Sequence, residues 1–378
     1  MSSIVDPKPV KDLNAGTTDT GTASLPPHDR VAERLNASQL PEDVEKRIRT
    51  SRTEQAALDE ARVQSRLMAL RERYRAGRMK LISMEIDQKL KEYSVAHRLS
   101  EPAKYDMAER SRVRAATTAY ARELGVDLGA MSRLWEETCR EFESIVATPR
   151  SGESTIIESF DRQPIAEASS QNFFPPWHGS WDQGFWSSTT DPSSTTWTSQ
   201  SYWEWDKRVG SFLGFKRGSA DNDDGAYIAH SSGVLVQFTM PRTGSLKVTA
   251  GLTRAFGKHF IDTDDEAGWS LCNVQVKESV VAEVYWDWND WTADSHVEGL
   301  LAHTGTVTSE AWRDTTPIPA GAFRVAALHD QNVVFPAGQT VVIYAGIKEE
   351  VYAWVDDVRV RANANAAWYP NWVAVTVV

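Results

Sequence analysis

The sequence predicts an α+β protein divided by domain: an N-terminal helical bundle or stalk followed by an antiparallel, jelly-roll-like β-sandwich. Three observations carry this. A stretch rich in Arg, Glu, Ala, Leu and Lys occupies the first third after a polar leader. Period-two apolar alternation dominates after about residue 230. No helical pattern of ten to fifteen residues separates the later strands, which disfavours parallel βαβ units. The domain boundaries read from composition are 1–38, 39–150 and 151–378.

Residues 1–38 are rich in Pro, Thr, Ser, Gly and Asp and poor in large apolar groups, so they are expected to form a disordered tail. Helix formers begin at Pro41, with Ser38 as a cap and Pro41 in the first turn. Val63, Leu67, Leu70 and Tyr74 form one apolar stripe, and Ile82, Ile86, Leu90 and Tyr93 form another. Gly77 stands between them, so two helices or one kinked helix are expected. Ser100-Glu101-Pro102 reads as a fresh helix start and Gly125 as its C-terminal cap. Asp127 then caps a helix whose apolar positions are Leu128, Met131, Trp135, Cys139, Phe142 and Val146, the best helical periodicity in the chain. Pro149 ends it.

Thr155 to Phe160 is expected as a first strand. Val234, Val236, Phe238 and Met240 alternate with Leu235, Gln237 and Thr239, and Leu246, Val248, Ala250 and Leu252 alternate with Lys247, Thr249 and Gly251. Pro241-Arg242-Thr243-Gly244 between them predicts a turn and hence a hairpin. Further strands are expected at Ser270–Lys277, Val280–Trp288, Val297–Val307, Phe323–Leu328, Thr340–Gly346, Val351–Val360 and Trp372–Val378. Pro-Ala-Gly turns precede two of them, at 319–321 and 336–338.

Net charge is −11, unevenly placed. Residues 41–123 hold nineteen Lys+Arg against fourteen Asp+Glu, and residues 151–378 hold fifteen against twenty-eight. The acidic β region argues against nonspecific nucleic-acid binding. The helical charges alternate in sign, as on a solvated face, or on one docked against an acidic neighbour such as the chain's own β region. Cys139 and Cys272 have no zinc or disulfide spacing and are expected as small buried hydrophobes. No basic-then-apolar leader and no long apolar run occur, so no signal peptide and no membrane span are expected. The chain is expected to be cytoplasmic when made, with export by a signal-independent route or inclusion in a virion or injection particle left open.

Trp is the outlier, with fifteen residues. Trp177, Trp181, Trp186, Trp197, Trp203 and Trp205 cluster in one segment, and Trp286, Trp288 and Trp291 in another. Burying one indole removes about 150–250 Å² from water, worth roughly 4–6 kcal/mol as an upper figure. Rings in this number must be covered, by the protein's own side chains or by a partner. Rings beside Asp, Asn and Gln suit a sugar, whose apolar face stacks while its hydroxyls take hydrogen bonds. The expected ligand-binding residues are therefore Trp181, Trp186, Trp197, Trp203, Trp205, Asp206, Trp286, Asp287, Trp288 and Trp291.

Asp221, Asp223 and Asp224 form an acidic knot that is a candidate for structural Ca²⁺, with a polar hairpin tip as the plainer reading. No other cofactor is expected. Carboxylates among the tryptophans (Glu204, Asp206, Asp287, Asp290) keep a carbohydrate-active hydrolase open. No G-x-S-x-G, phosphate loop, dinucleotide fingerprint or H-E-x-x-H occurs. The expected function is non-enzymatic binding or attachment, or structural assembly. The helices would anchor or self-associate, and the sandwich would recognise a partner, with glycan the first choice. A helical anchor with a β head resembles the general plan of phage or injection-machine accessory proteins. The alternatives are a delivered, pore-forming type of toxin or effector with a lectin-like domain, and the hydrolase.

Overall fold

The computed structural model describes residues 40–378 except 98–106, 148–151, 160–161, 165–169, 176, 189–198, 201–210, 215, 218–223, 266–270, 287–292, 308–310 and 357. The expected tail, 1–38, lies outside the described residues. Four helices come first among them: α1 (Glu42–Leu81), α2 (Met84–Ala96), α3 (Met107–Glu123) and α4 (Leu128–Val146). Two antiparallel sheets follow.

Gly77 does not break α1, which runs on to Leu81. The glycine instead permits a close approach: a Cβ there would lie 2.9 Å from Leu134 Cδ1 of α4. The chain turns at Ile82, whose backbone is extended. Asp127 caps α4 as its sequence predicts, accepting from the Ala130 N–H at 2.9 Å, and Gly125 takes the left-handed conformation (φ 82°) that ends the preceding segment. On α4, Met131, Trp135, Cys139, Phe142 and Val146 are buried.

Sheet A contains β1 (Glu153–Glu158), β2 (Ser170–Phe173), β4 (Ser199–Gln200), β5 (Ser211–Gly214), β6 (Lys216–Arg217), β8 (Leu246–Asp265), β11 (Ala311–Thr315), β12 (Phe323–His329) and β14 (Val358–Val377). Its main path is β1-β12-β8-β14-β5-β4. Sheet B runs β10-β9-β13-β7-β3, with β3 (Gly179–Ser188), β7 (Asp224–Thr239), β9 (Leu271–Trp286), β10 (Ala293–Thr306) and β13 (Thr340–Asp356). One apolar cluster draws on both sheets, with Val234, Val236 and Phe238 from β7 meeting Leu246, Val248 and Ala250 from β8. The two sheets thus face each other across a shared core in a sandwich-like arrangement.

The expected hairpin at 241–244 is not formed. β7 pairs with β13 and β3, while β8 pairs with β12, β11 and β14. The turn carries the chain from one sheet to the other, because both alternating apolar faces point into the same core from opposite sides. Two expected breaks are also absent. Ser270–Lys277 and Val280–Trp288 form one strand, β9, and Thr340–Gly346 and Val351–Val360 fall largely within another, β13. The interrupting polar residues are paired in register, Lys277↔Glu350, Glu278↔Glu349 and Ser279↔Lys348, and all but the half-buried Lys277 are buried.

The helices and sheets belong to one compact unit, residues 37–378. Leu67, Leu70 and Tyr74 of α1 and Trp135 and Phe142 of α4 share a buried cluster with Tyr227, Tyr352 and Trp354 of sheet B. Near residue 150 the chain passes from helices to strands, and the helical residues share this buried cluster with sheet B. Cys139 and Cys272 are free and buried, and burial pushes the Cys139 thiol up to about 12. Among the described residues, no helix is long and apolar enough to cross a membrane.

Candidate functional site

Sheet B's outer face is covered by α1 and α4; part of sheet A's outer face is open. The difference arises at a bulge in β8. Up to Arg254, even-numbered residues point inward: Leu246, Val248, Ala250, Leu252 and Arg254 are all buried. Opposite β14, the register then skips Ala255, since Ala367 faces Phe256 but Trp368 faces Arg254. One extra residue reverses the alternation. His259, Ile261 and Thr263 become the buried set, while Phe256 is 47% exposed, Lys258 is exposed, and Phe260 and Asp262 are half-buried.

Short β11 adds Trp312 and Asp314 to this outward face, opposite Asp262 and Phe260. On the other side, β14 adds Arg361 and Asn363, opposite the same two residues. Trp312 is 59% exposed, and its ring stands edge-to-face with Phe260, centroids 5.0 Å apart at 86°. Lys258 Nζ lies 3.3 Å from Asp314 Oδ2 at the rim. Tyr369 is also exposed, one residue beyond the inward Trp368. Farther along the face, Trp372 lies over Gly251, where a Cβ would come 2.3 Å from its ring, and packs with Phe323, Val325 and Phe174. That half of the face is closed, and the half around Trp312 is open. The open half combines exposed rings with an ion pair, an amide and a guanidinium on neighbouring strands of one sheet face.

The aromatic residues expected as ligand contacts are distributed differently. Trp286 is a correction: it is 3% exposed and stands edge-to-face with Phe335 in the core between the sheets. Its strand has its apolar alternating face inward there, so the ring is enclosed. Trp177 is buried in the same cluster. Trp181 and Trp186 lie on β3, the edge strand of sheet B, opposite Gly233 and Ile228, and their side chains are outside the description. Trp197, Trp203, Trp205, Asp206, Asp287, Trp288 and Trp291 lie outside the described residues, as do Asp221 and Asp223. Asp224 opens β7 opposite Val355. Among the described residues no group of His, Cys, Asp and Glu is arranged to hold a metal ion.

Sequence reasoning missed Trp312. Its strand is five residues long and reads Ala-Trp-Arg-Asp-Thr, without a run of apolar alternation. The available signal was the isolated ring itself, set between polar residues where a core strand would carry aliphatic ones.

A second polar site lies beneath the helices. A cavity of about 150 Å³ opens between α1, the end of α4 and sheet B, lined in part by Arg52, Val63, Tyr227, Glu283, His296 and Lys348. Arg52 bonds Glu283 and the Tyr285 hydroxyl, and its guanidinium lies 4.4 Å from the centre of the Tyr344 ring. His296 Nδ1 lies 3.0 Å from Glu283 Oε1, and Lys348 Nζ lies 2.9 Å from Glu350 and 3.4 Å from Glu298. Burial opposes the charge on Glu283, yet Arg52 and His296 outweigh it and hold the carboxyl down at about 2. Burial likewise opposes the His296 proton, but Glu283 and Glu298 raise the imidazole to about 9. Three cations answer three carboxylates, so the charges are spent on one another and on fastening α1. The basic helical segment thus does meet acidic groups of the β region: Arg78 also reaches Asp356, 3.4 Å away, which accepts from the Tyr74 hydroxyl.

A third cluster sits inside the sandwich. Glu278, fully buried, accepts from Arg254 at 2.5 Å and from the Trp368 indole at 2.9 Å, and lies 2.8 Å from His259. Burial and the neighbouring Glu278 raise Glu349 well above the usual carboxylate range. Both carboxyls are enclosed between the sheets, where no substrate reaches them.

Among the described residues these features define a helix-capped, two-sheet β protein with an open aromatic face on sheet A. No family profile matches the chain, and no curated protein matches it. Among solved structures the chain is similar to the CBM22-1–GH10 modules of a Clostridium thermocellum endo-1,4-beta-D-xylanase complexed with xylohexaose, at 10% identity over 43% of this chain and 26% of that one, with a TM-score of 0.12. It is also similar to TmCBM61 in complex with beta-1,4-galactotriose, at 11% identity over 50% of this chain and 88% of that one, with a TM-score of 0.10. Likeness at these scores carries no argument about fold or function.

Proposed function

We propose that this protein is a non-enzymatic binding or attachment protein whose jelly-roll-like β-sandwich recognises glycan on the open half of sheet A. The carrying observation is Trp312, 59% exposed beside Phe260 and surrounded by Asp262, Asp314, Arg361 and Asn363. An exposed ring offers a sugar a flat apolar surface, and the flanking carboxylates, amide and guanidinium offer both acceptors and donors for its hydroxyls. The helices serve in anchoring or self-association.

The test is a glycan-array screen of the whole chain beside its Trp312→Ala variant. The reading expects glycan signals that the substitution abolishes while the melting temperature stays unchanged, since so exposed a ring contributes little to the core. Glycan binding that survives the substitution would place recognition elsewhere. No glycan binding at all would end the reading.

A further inference from the structure

We infer that the open face of sheet A binds the interior of an extended glycan chain lengthwise along β8, rather than a terminal sugar. The inference rests on the reading of this face as a glycan site and concerns the shape of its ligand.

The argument is the spacing of the rings. The outward residues of β8 are Phe256, Lys258, Phe260 and Asp262, alternating aromatic and charged. Trp312 stands opposite Asp262 and against Phe260, which puts one aromatic station at that end. Phe256 makes a second, 47% exposed, four residues from Phe260. At a rise of about 3.3 Å per residue the two stations are about 13 Å apart. The bulge at Ala255 falls beyond Phe256, so this stretch is uninterrupted. Lys258 lies between the stations, and its partner Asp314 and Asn363 flank Phe260 on the neighbouring strands, supplying hydrogen-bonding groups along the path. A single sugar ring can engage one station only. A chain of several consecutive rings reaches both.

The shape of the face points the same way. A terminal sugar is best held in a concave pocket that surrounds it. Here the rings stand on the outward face of a sheet, with the polar groups in rows on neighbouring strands about 4.8 Å apart. Such a surface meets one side of its ligand and lets the chain continue past both ends.

The experiment measures binding of the full chain to a panel of plant, fungal and bacterial polysaccharides with graded fragments from the disaccharide upward, printed beside short branched glycans. Titration calorimetry then compares the wild type, Trp312→Ala and Phe256→Ala on the fragment series of whichever polysaccharide binds. Affinity is expected to climb with fragment length and to level off once both stations are spanned. Phe256→Ala is expected to weaken the long fragments about tenfold, equivalent to about 1.4 kcal/mol, and to leave the disaccharide unchanged. Trp312→Ala is expected to weaken every length. Phe256→Leu, which keeps apolar bulk without a ring, replaces Phe256→Ala if the latter fails to fold.

Binding confined to mono- or disaccharide termini, or a length-independent affinity, would overturn the inference while the glycan reading stands. Absence of binding to every probe would remove both. An oligomer that dissociates on Trp312→Ala, with no glycan bound, would assign the face to a second copy of the chain and overturn both as well.

Discussion

Raising the pH above neutrality should loosen this protein through one imidazole. His296 is 21% exposed at its side chain and lies between Glu283 and Glu298 under helix α1. Unfolded, it releases its proton near 6.5; folded, it keeps it to about 9. Between those values the folded chain carries a proton that the unfolded chain has lost, so stability falls as pH rises. The contribution is complete below 6.5 and gone above 9. Holding the proton from 6.5 up to about 9 corresponds to about 3 kcal/mol at 1.36 kcal/mol per pH unit. Glu349 adds to the same trend, because a carboxyl held neutral in the fold also costs stability as pH climbs above its unfolded value. The two are separated by difference. Urea unfolding of the wild type and of His296→Gln at a series of pH values from weakly acid to alkaline should give curves that diverge most below 6.5 and converge near 9. Parallel curves across that range would refute the assignment of the proton to His296, and a gap that widens with pH would reverse its sign.

Glu349→Gln replaces a buried acid, pushed up by burial and by Glu278, with an uncharged amide of like shape and should raise the urea midpoint at pH above the unfolded carboxyl range while flattening its decline in alkali; an unchanged midpoint would refute the raised carboxyl. Arg52→Met leaves Glu283 buried without its guanidinium and should cost about 3–5 kcal/mol in urea unfolding. If instead the loss is small, the contact with Arg52 does not hold the helix to the sheet. Gly251→Ala places a methyl 2.3 Å from the enclosed Trp372 ring and should cost about 1–3 kcal/mol, read as a lower melting temperature. An unchanged melting temperature would show that the indole has room to move.

What the sequence disclosed depends on whether local pattern and tertiary role coincide. On α4 they do: the stripe from Met131 to Val146 is the buried face, and Asp127 and Gly125 act at its start by local chemistry alone. At 241–244 they part. A Pro-Arg-Thr-Gly turn between two alternating strands reads identically whether the strands pair or cross between sheets, because both outcomes bury the same residues. At Lys348-Glu349-Glu350 local polarity misleads, since three charges in a row read as a loop. In the structure they occupy the middle of a 17-residue strand, with Lys348 and Glu350 facing the helices and Glu349 facing the core. Their partners Glu298, Tyr227 and Glu278 come from β10, β7 and β9, and no spacing along β13 discloses them.

Tryptophan shows the same limit from the other side. Counting rings predicts that most must be covered, and Trp177, Trp286, Trp354, Trp368 and Trp372 are. It cannot predict which ring is left out, because exposure is decided by what lies across the sheet. Trp372 is closed over by Phe174 on the same outward face where Trp312 stays open. The reversal at Ala255 matters here beyond its effect on packing. Without that extra residue, His259 and Arg254 could not both point inward to Glu278, and Phe256, Phe260 and Trp312 could not share the outer face. The same backbone irregularity therefore gathers the buried polar cluster on one side of β8 and the exposed aromatic surface on the other. Deleting Ala255, which would restore the alternation, is expected to dismantle both at once.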